Sequence, residues 1–224
     1  ANIAYDLQLL SKGRYILGLG SQIRPHITKR FSMPWSKPAA RMEDMVTAIK
    51  AILNAWQNES RLEHRGEFYN HTLMTPLFNP GPNPHGIPKI YVAAVGPLMT
   101  KAVARSADGL LAHPFNTPTY LKNITLPLID EALSSINKEK DAFDLSISVM
   151  TGIGATEESH KKAVRACRDQ VAFYASTPNY RAVLELHGYE ELSGELNRLS
   201  KEGKWQQMGD AIDDEILNTF AVIS

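Results

Sequence analysis

The sequence predicts an α/β protein in which helices cover a parallel sheet. Four short apolar runs alternate with longer segments of amphipathic helical pattern along the 224 residues. This alternation is typical of parallel strands joined by crossover helices, and the apolar runs have the composition of strands buried on both faces. Two architectures fit: a (β/α)8 (TIM) barrel, which would be incomplete because only four strands are visible, and an open doubly wound sheet.

The predicted elements follow one another in a regular order. The first strand covers 14–19 and ends in glycines, and a polar loop over 22–37 separates it from a helix with one apolar stripe. Five prolines make 58–88 rich in turns, with one short strand over 67–72. The later elements are strands at 89–95, 109–113 and 145–151, helices at 98–106, 118–137 and 157–175, and two or three short helices over 178–220.

Composition and charge exclude several classes of protein. Hydrophobic residues make up 43% of the chain and charged residues 21%, which argues against disorder. The 24 basic and 24 acidic residues cancel, so nothing indicates a nucleic-acid partner. The single cysteine, Cys167, excludes an intrachain disulfide and a cysteine-rich zinc site. No apolar run approaches the roughly 20 residues of a membrane span, and we expect a cytoplasmic protein without a membrane partner.

The two ends of the chain predict a piece of a longer protein. The chain begins at Ala1, without Met, and enters at once a helical pattern with Ile3, Leu7 and Leu10 on one side. It stops within the apolar run 220–224, which has the pattern of another element beginning. We therefore expect that this chain alone does not close a barrel and is inactive by itself.

Ligands bind at the carboxyl ends of the strands in both architectures, which points first to the loop after 14–19. Two glycines at the strand end allow a ligand to approach the backbone, and Ser21, Gln22 and His26 follow. The third glycine and the acidic residue of a dinucleotide fingerprint are missing, so NAD is not predicted. A tight turn without a ligand is the alternative.

The second candidate is the loop that follows the strand at 89–95. Small residues, Ala94, Val95 and Gly96, lead into a helix whose start Pro97 favours. Free backbone N–H groups and the helix dipole make such a turn suitable for a phosphate, and Lys101 would add positive charge. An ordinary turn is the alternative.

The third candidate is His113, at the end of the strand at 109–113. A histidine in this position indicates a site more than a core. With His26 it is a candidate catalytic residue, able to donate a hydrogen bond or a proton near neutral pH; anchoring of a loop is the alternative for each. No metal site is predicted, because no His-x-x-x-His or His-Glu-x-x-His spacing occurs.

Several segments together have the order and composition of one known family. These segments are 11–21, 41–45, 52–56, 65–69, 93–97 and 107–109. They resemble the bacterial-luciferase-like flavin and deazaflavin oxidoreductases, and the resemblance covers nearly the whole chain. The segments 30–36 and 71–76 are similar to the branch described as dependent on coenzyme F420.

The resemblance implies one partial domain, 1–224: a (β/α)8 barrel that lacks about its first three strands and its last. Coenzyme F420, or alternatively FMN, would lie over the barrel mouth, with its phosphate against Ala94 to Pro97 and its ring beside Ser21 to His26. Relatives that oxidise sugar phosphates have a glutamate in a loop where this chain has Ile23. That acid/base role is therefore not carried over.

The resemblance implies an oxidoreductase that moves a hydride between coenzyme F420, or a flavin, and a small organic substrate. The first alternative is an FMN-dependent monooxygenase that activates O₂. The second is a barrel that binds a phosphate ligand or flavin without catalysis. A sugar-phosphate isomerase is a weaker third alternative, because no paired base and electrophile are visible. A homo-oligomer is compatible with these functions.

Overall fold

The protein is described by a computed structural model that covers residues 1–224. The strands are β1 (Ile16–Gly20), β2 (His64–Arg65), β3 (Asn70–His71), β4 (Lys89–Ala94), β5 (Gly109–Ala112), β6 (Asp144–Ile147), β7 (Met150–Gly152) and β8 (Ala221–Ile223). The helices are α1 (Asn2–Leu10), α2 (Pro38–Gln57), α3 (Pro97–Ser106), α4 (Pro118–Tyr120), α5 (Leu126–Ser134), α6 (Glu157–Ala175), α7 (Arg181–Glu185), α8 (Glu190–Lys201), α9 (Trp205–Asp210) and α10 (Asp214–Phe220). No helix among them combines the length and apolarity needed to cross a membrane.

The main sheet has four strands in the order β1-β4-β5-β6. β1 and β4 are parallel, with Ile16 opposite Lys89 and Gly20 opposite Ala93, and a helix lies on each connection along the sheet. The predicted α/β class with a mostly parallel sheet is confirmed, and the strands do not close into a barrel. Two small sheets accompany it: an antiparallel hairpin of β2 and β3, and a parallel pair of β7 and β8.

The chain forms two compact units. The first contains 1–111 and 128–146, and the second contains 112–127 and 147–224. In the first unit α2 packs on α3, and Ile90 and Val92 of β4 are fully buried. The second unit has its own core, formed by α6 to α10 around Val171, Leu184, Leu196, Ile212 and Leu217. The expected single domain over 1–224 stays a prediction.

Two expectations about the strands are wrong in part. The strand predicted at 145–151 is divided, because β6 joins the main sheet whereas β7 pairs with β8. Val149, between the two strands, is 58% exposed, so the apolar run is interrupted where the chain leaves one sheet and enters the other.

The expected burial of both strand faces also fails for β1, whose residues alternate between exposed and half-buried. β1 has only one neighbouring strand in the sheet, which leaves it less covered.

Helix α1 buries the side opposite to its apolar stripe. Ile3, Leu7 and Leu10 are exposed, whereas Tyr5 and Gln8 are buried. The Tyr5 hydroxyl donates to the carbonyl of Gly81 at 2.9 Å, and Gln8 hydrogen-bonds through Nε2 to the carbonyl of His85. Polar contacts with the loop at 81–87 therefore fix the orientation of this helix.

The helix predicted at 118–137 is interrupted by one wider turn. A short α4 leads into a π-helical turn, Leu121–Thr125, and then into α5. Pro127, in the first turn of α5, has no N–H to donate to the carbonyl four residues earlier. The widened turn lies just before that proline, and α5 ends at Ser134, three residues before the predicted end.

Candidate functional site

The loop after β1 holds Ser21, Gln22 and His26 in one hydrogen-bonded arrangement. Gln22 has a φ of 57°, a left-handed conformation uncommon for residues other than glycine, so the chain turns sharply there. The Gln22 Oε1 lies 3.1 Å from Nδ1 of His26, and the Ser21 hydroxyl donates to the Gln22 carbonyl at 3.2 Å. Because an amide oxygen only accepts, Nδ1 carries the proton, which leaves Nε2 of His26 free.

The loop after β4 is open at the start of α3. Gly96 has a φ of 79°, and its carbonyl accepts both the N–H and the hydroxyl of Thr100. A Cβ added to Gly96 would meet no atom within 4 Å, and no side chain caps the first turn of the helix. The first turn of α3 therefore leaves backbone N–H groups without a side-chain partner, as an anion site requires.

The other predicted residues of this loop differ in their exposure. Val95 is 42% exposed, whereas the side chain of Ala94 is buried, so Ala94 offers a ligand only its backbone. Pro97 begins α3 as expected. Lys101, expected to add positive charge, forms an ion pair with Glu131 at 2.6 Å, which offsets its charge.

The structure brings these two loops together. Gly20 lies opposite Ala93 in the parallel pairing of β1 and β4, and a Cβ on Gly20 would lie 3.7 Å from that of Ala93. The loops beginning at Ser21 and at Ala94 therefore leave adjacent strands at the same level. Ser21, Gln22 and His26, together with the turn from Ala94 to Pro97, form one candidate site at the carboxyl ends of the strands.

His113 follows β5 and belongs to the second unit, where it packs among tyrosines. Its ring stacks on Tyr180 at 4.5 Å and meets Tyr174 edge-on at 4.6 Å. The N–H of Phe115 donates to Nδ1 of His113 at 3.1 Å, so its proton lies on Nε2. Burial lowers the pKa of His113, which favours the neutral ring.

An aspartate–histidine pair that sequence analysis missed joins α2 to the hairpin. Asp44 contacts Nε2 of His64 through Oδ1 at 2.7 Å, and its Oδ2 accepts the N–H groups of Phe68 at 2.6 Å and Tyr69 at 3.1 Å. Burial acts to raise the pKa of Asp44, but these hydrogen bonds outweigh it and hold the pKa below its usual value. These three hydrogen bonds, all to residues of the hairpin, give Asp44 the role of positioning the hairpin.

A second set of missed residues lies at the amino ends of the strands. Asp108, before β5, accepts the N–H of Ile90 at 2.8 Å and the ammonium of Lys50 at 2.7 Å. Asp144 accepts from Lys89 and from the Tyr91 hydroxyl. The hydrogen bond from Lys89, followed by that from Tyr91, lowers the pKa of Asp144. Charged pairs at this end of parallel strands stabilise the sheet rather than bind ligands.

No group of three or more His, Cys, Asp or Glu side chains has an arrangement that would hold a metal ion. The candidate site therefore consists of neutral hydrogen-bonding side chains, one histidine with a free nitrogen, and an open helix start. Its chemistry is that of binding an anion and of donating or accepting hydrogen bonds.

Comparison with known structures supports the architecture. The coenzyme F420-dependent tetrahydromethanopterin reductase from Methanopyrus kandleri has a TM-score of 0.74 at 20% identity, over 98% of this chain and 64% of that one. An F420-dependent secondary alcohol dehydrogenase in complex with an F420-acetone adduct has a TM-score of 0.64 at 17% identity, over 99% of this chain and 61% of that one. The fold is thus shared with TIM-barrel enzymes.

Comparison of sequences gives the family. An uncharacterised protein of Mycobacterium tuberculosis is 50% identical over 223 residues, and this chain spans 66% of its length. A phthiodiolone/phenolphthiodiolone dimycocerosates ketoreductase of Mycobacterium sp. strain JLS is 29% identical over 73% of this chain and 42% of its own. The profile described as luciferase-like monooxygenase matches residues 1–224. The chain therefore belongs to the luciferase-like monooxygenase family.

Proposed function

We propose that this chain is part of an oxidoreductase that transfers a hydride between coenzyme F420 and the carbonyl carbon of a small ketone, with a secondary alcohol as the reduced form. The observation that carries the proposal is the pairing of Gly20 with Ala93, which sets the polar loop beside the open helix start. The names of relatives support the substrate class: one is a ketoreductase, and one is an F420-dependent secondary alcohol dehydrogenase.

The residues present fit the coenzyme at its phosphate. Gly96 leaves an open space where a Cβ would stand, and the first turn of α3 has no side-chain cap. We assign the phosphate to backbone N–H groups in the segment from Ala94 to Met99, where the helix dipole favours negative charge. Pro97 contributes by fixing the backbone at the helix start.

The loop after β1 has the second role, beside the ring. When bound, the reduced coenzyme supplies a hydride to the substrate carbon. Ser21 and Gln22 would orient the ring through neutral hydrogen bonds. In the oxidation direction the unprotonated Nε2 of His26 would accept the hydroxyl proton of the alcohol, and in the reduction direction it would return that proton to the carbonyl oxygen. His113, in the second unit, stays a candidate catalytic residue from the sequence pattern. A neutral wall suits a ring whose charge changes during the reaction.

An FMN-dependent monooxygenase is the second candidate function, favoured by the description of the family profile. The same phosphate turn would serve FMN. Ligand binding without catalysis is the remaining alternative. Location in the cytoplasm and assembly as a homo-oligomer belong to the proposal as well.

The test is a titration of the whole protein with coenzyme F420, FMN and NADPH, followed by absorbance. We expect saturable binding of F420 and oxidation of its reduced form when a small ketone is added, with little reaction with oxygen. Binding of FMN with substrate-dependent O₂ uptake would instead establish the monooxygenase. Tight binding without turnover of any ketone or alcohol would show a binding protein.

A further inference from the structure

Positive charge is concentrated in one part of this otherwise neutral chain. Residues 7–42 contain seven Lys and Arg residues and no Asp or Glu. Four of the seven lie in the loop after β1, which has no carboxylate of its own, and three of these four, Arg24, Lys29 and Arg30, lie within 24–30. The loop therefore has a local positive potential, although the net charge of the whole chain is zero.

These three cations are exposed on a short helical turn. The turn runs over 24–30 and becomes π-helical from His26 to Arg30. Lys37, further along the loop, pairs with Glu67 at 2.6 Å. By contrast, Arg24, Lys29 and Arg30 are exposed and none of them forms an ion pair. The helices α6, α7 and α8, which are also rich in charged residues, do form ion pairs between residues four positions apart.

Large apolar side chains are exposed on both sides of the same turn. Ile23 precedes it, and Phe31 and Met33 follow it, each about half exposed. The guanidinium of Arg30 lies 5.6 Å from the centre of the Phe31 ring. The segment 23–33, which we call the basic loop, thus combines free cations with exposed apolar tips over eleven consecutive residues.

We propose that the basic loop docks the protein on an anionic lipid surface. Arg24, Lys29 and Arg30 contact the headgroups, and Phe31 and Met33 enter the boundary between headgroups and acyl chains. A soluble polyanion would use the cations alone, whereas a lipid surface uses the apolar tips as well. The expectation of no membrane partner was based on the lack of a spanning segment, which surface docking does not need.

Docking would have a direct consequence for the proposed site. The basic loop begins two residues after Ser21, at the carboxyl end of β1 where we place the ring. A docked protein would therefore present that end of the strands to the lipid and take an apolar ketone from it. This consequence rests on the proposed function, but the docking itself does not.

Flotation of the whole protein with vesicles tests the docking without any coenzyme. The vesicles are phosphatidylcholine alone or an equal mixture with phosphatidylglycerol, at low and high salt. We expect binding only to the mixed vesicles, weakened by salt because the surface charges are screened. The triple variant Arg24→Gln, Lys29→Gln, Arg30→Gln should bind about 100-fold more weakly, since each cation near such a surface contributes about fivefold.

A matched control removes the same charge elsewhere. Lys161→Gln, Lys162→Gln, Lys201→Gln changes three exposed lysines on α6 and α8, and should float as the wild type does. Phe31→Ser with Met33→Ser should weaken binding while leaving its salt dependence. Melting temperatures of all variants exclude unfolding as the cause.

Three outcomes would overturn the proposal. They are no flotation with anionic vesicles, equal loss in the triple variant and its control, and complete competition by free inositol phosphate with no effect of the Phe31 and Met33 changes. The last result would identify a soluble polyanion as the ligand. Failure of the coenzyme titration would leave the flotation result standing, so the two proposals fail separately.

Discussion

At the scale of single residues, Gly96 combines two properties that a phosphate turn needs. Its φ of 79° is a conformation that residues with a Cβ rarely adopt, and the space beside it is open. The absence of a side chain at Gly96 thus allows both the backbone conformation of the turn and the approach of a phosphate.

Gly96→Val should weaken coenzyme binding at least tenfold, because the new side chain fills the open space and strains the turn. The dissociation constant from absorbance titration measures this. Gly86→Val is the control, since Gly86 also has a positive φ, 72°, and open space around it, but it lies in the loop before β4. An unchanged dissociation constant for Gly96→Val would refute the phosphate assignment.

His26→Ala should slow hydride transfer at least tenfold, equivalent to about 1.4 kcal/mol of barrier. The cause would be loss of the Nε2 group that holds the proton of the substrate oxygen. Gln22→Ala should give a smaller loss, because it removes only the contact that orients the His26 ring. Single-turnover rates of hydride transfer in both variants measure this effect. If His26 only anchors the loop, both variants should have the rate of the wild type.

His113 gives a prediction about pH. Burial lowers its pKa below the ordinary value of 6.5, so below that pH the unfolded chain binds more protons than the folded one. Stability should therefore fall as the pH falls below about 6.5. His113→Phe keeps the stacking on Tyr180 and should remove this part of the pH dependence, as measured by urea unfolding at several pH values. An identical pH dependence in the variant would contradict the neutral assignment.

At the scale of elements, Asp44 fastens a hairpin that is too short to be stable alone. β2 and β3 have two residues each, and isolated two-stranded hairpins are marginal in water. A Cβ on Gly66 would lie 1.8 Å from Asp44 Oδ1, so the carboxylate fits closely against the turn. The hairpin is held by α2 more than by its own strand pairing.

Asp44→Asn should destabilise the protein by about 2 kcal/mol, since one buried oxygen that accepts hydrogen bonds becomes a donor. Because the folded pKa of Asp44 lies below its ordinary value, the advantage of the wild type is complete above about pH 4 and is lost as the pH falls through the lowered pKa. Urea midpoints measure both effects. Glu63→Gln, an exposed carboxylate beside the same hairpin, should change stability by less than about 0.5 kcal/mol.

Elements whose signals are local could be predicted from sequence. α6 was expected at 157–175 and has those bounds, because Thr156 and Ser159 form a capping box at its start. β1, β4 and β5 lie within two residues of their predicted positions, where apolar runs end in glycine or alanine. The position of the loops at Ser21 and Ala94 on adjacent strand ends follows from the parallel pairing of β1 with β4.

Features that depend on distant partners could not be predicted. The apolar pattern of 145–151 fits one continuous strand as well as two shorter ones. Only the pairing with 221–223 shows that β7 belongs to a different sheet from β6. The tyrosines around His113 come from a segment more than sixty residues later in the chain. The buried side of α1 was likewise set by contacts with the loop at 81–87.

At the scale of the whole molecule, the main sheet has an open edge at β1. This strand hydrogen-bonds only to β4, and Ile16 on it is exposed. Unpaired strand edges with exposed apolar residues favour association with further copies. We therefore expect further copies of this chain, when it is made by itself, to pair at this edge.

We predict that the 224-residue chain, expressed by itself, self-associates in a concentration-dependent way and that Ile16→Lys reduces this, because a charge at a strand edge opposes pairing. Sedimentation velocity at several concentrations measures the effect. Ile136→Lys is the control, since Ile136 has similar exposure but follows α5 and lies on no strand. A wild-type protein that stays monomeric at every concentration would refute the prediction.

The pairing of β7 with β8 also imposes an order in time. Met150 lies opposite Ala221, and every helix from α6 to α10 stands between them in the chain. A parallel pair cannot be closed by a short turn, so β7 completes its backbone hydrogen bonds only after β8 has been made. At a synthesis rate of about 5–20 residues per second, β7 stays unpaired for several seconds at the ribosome. During that interval chaperones and proteases have access to the second unit before its sheet exists.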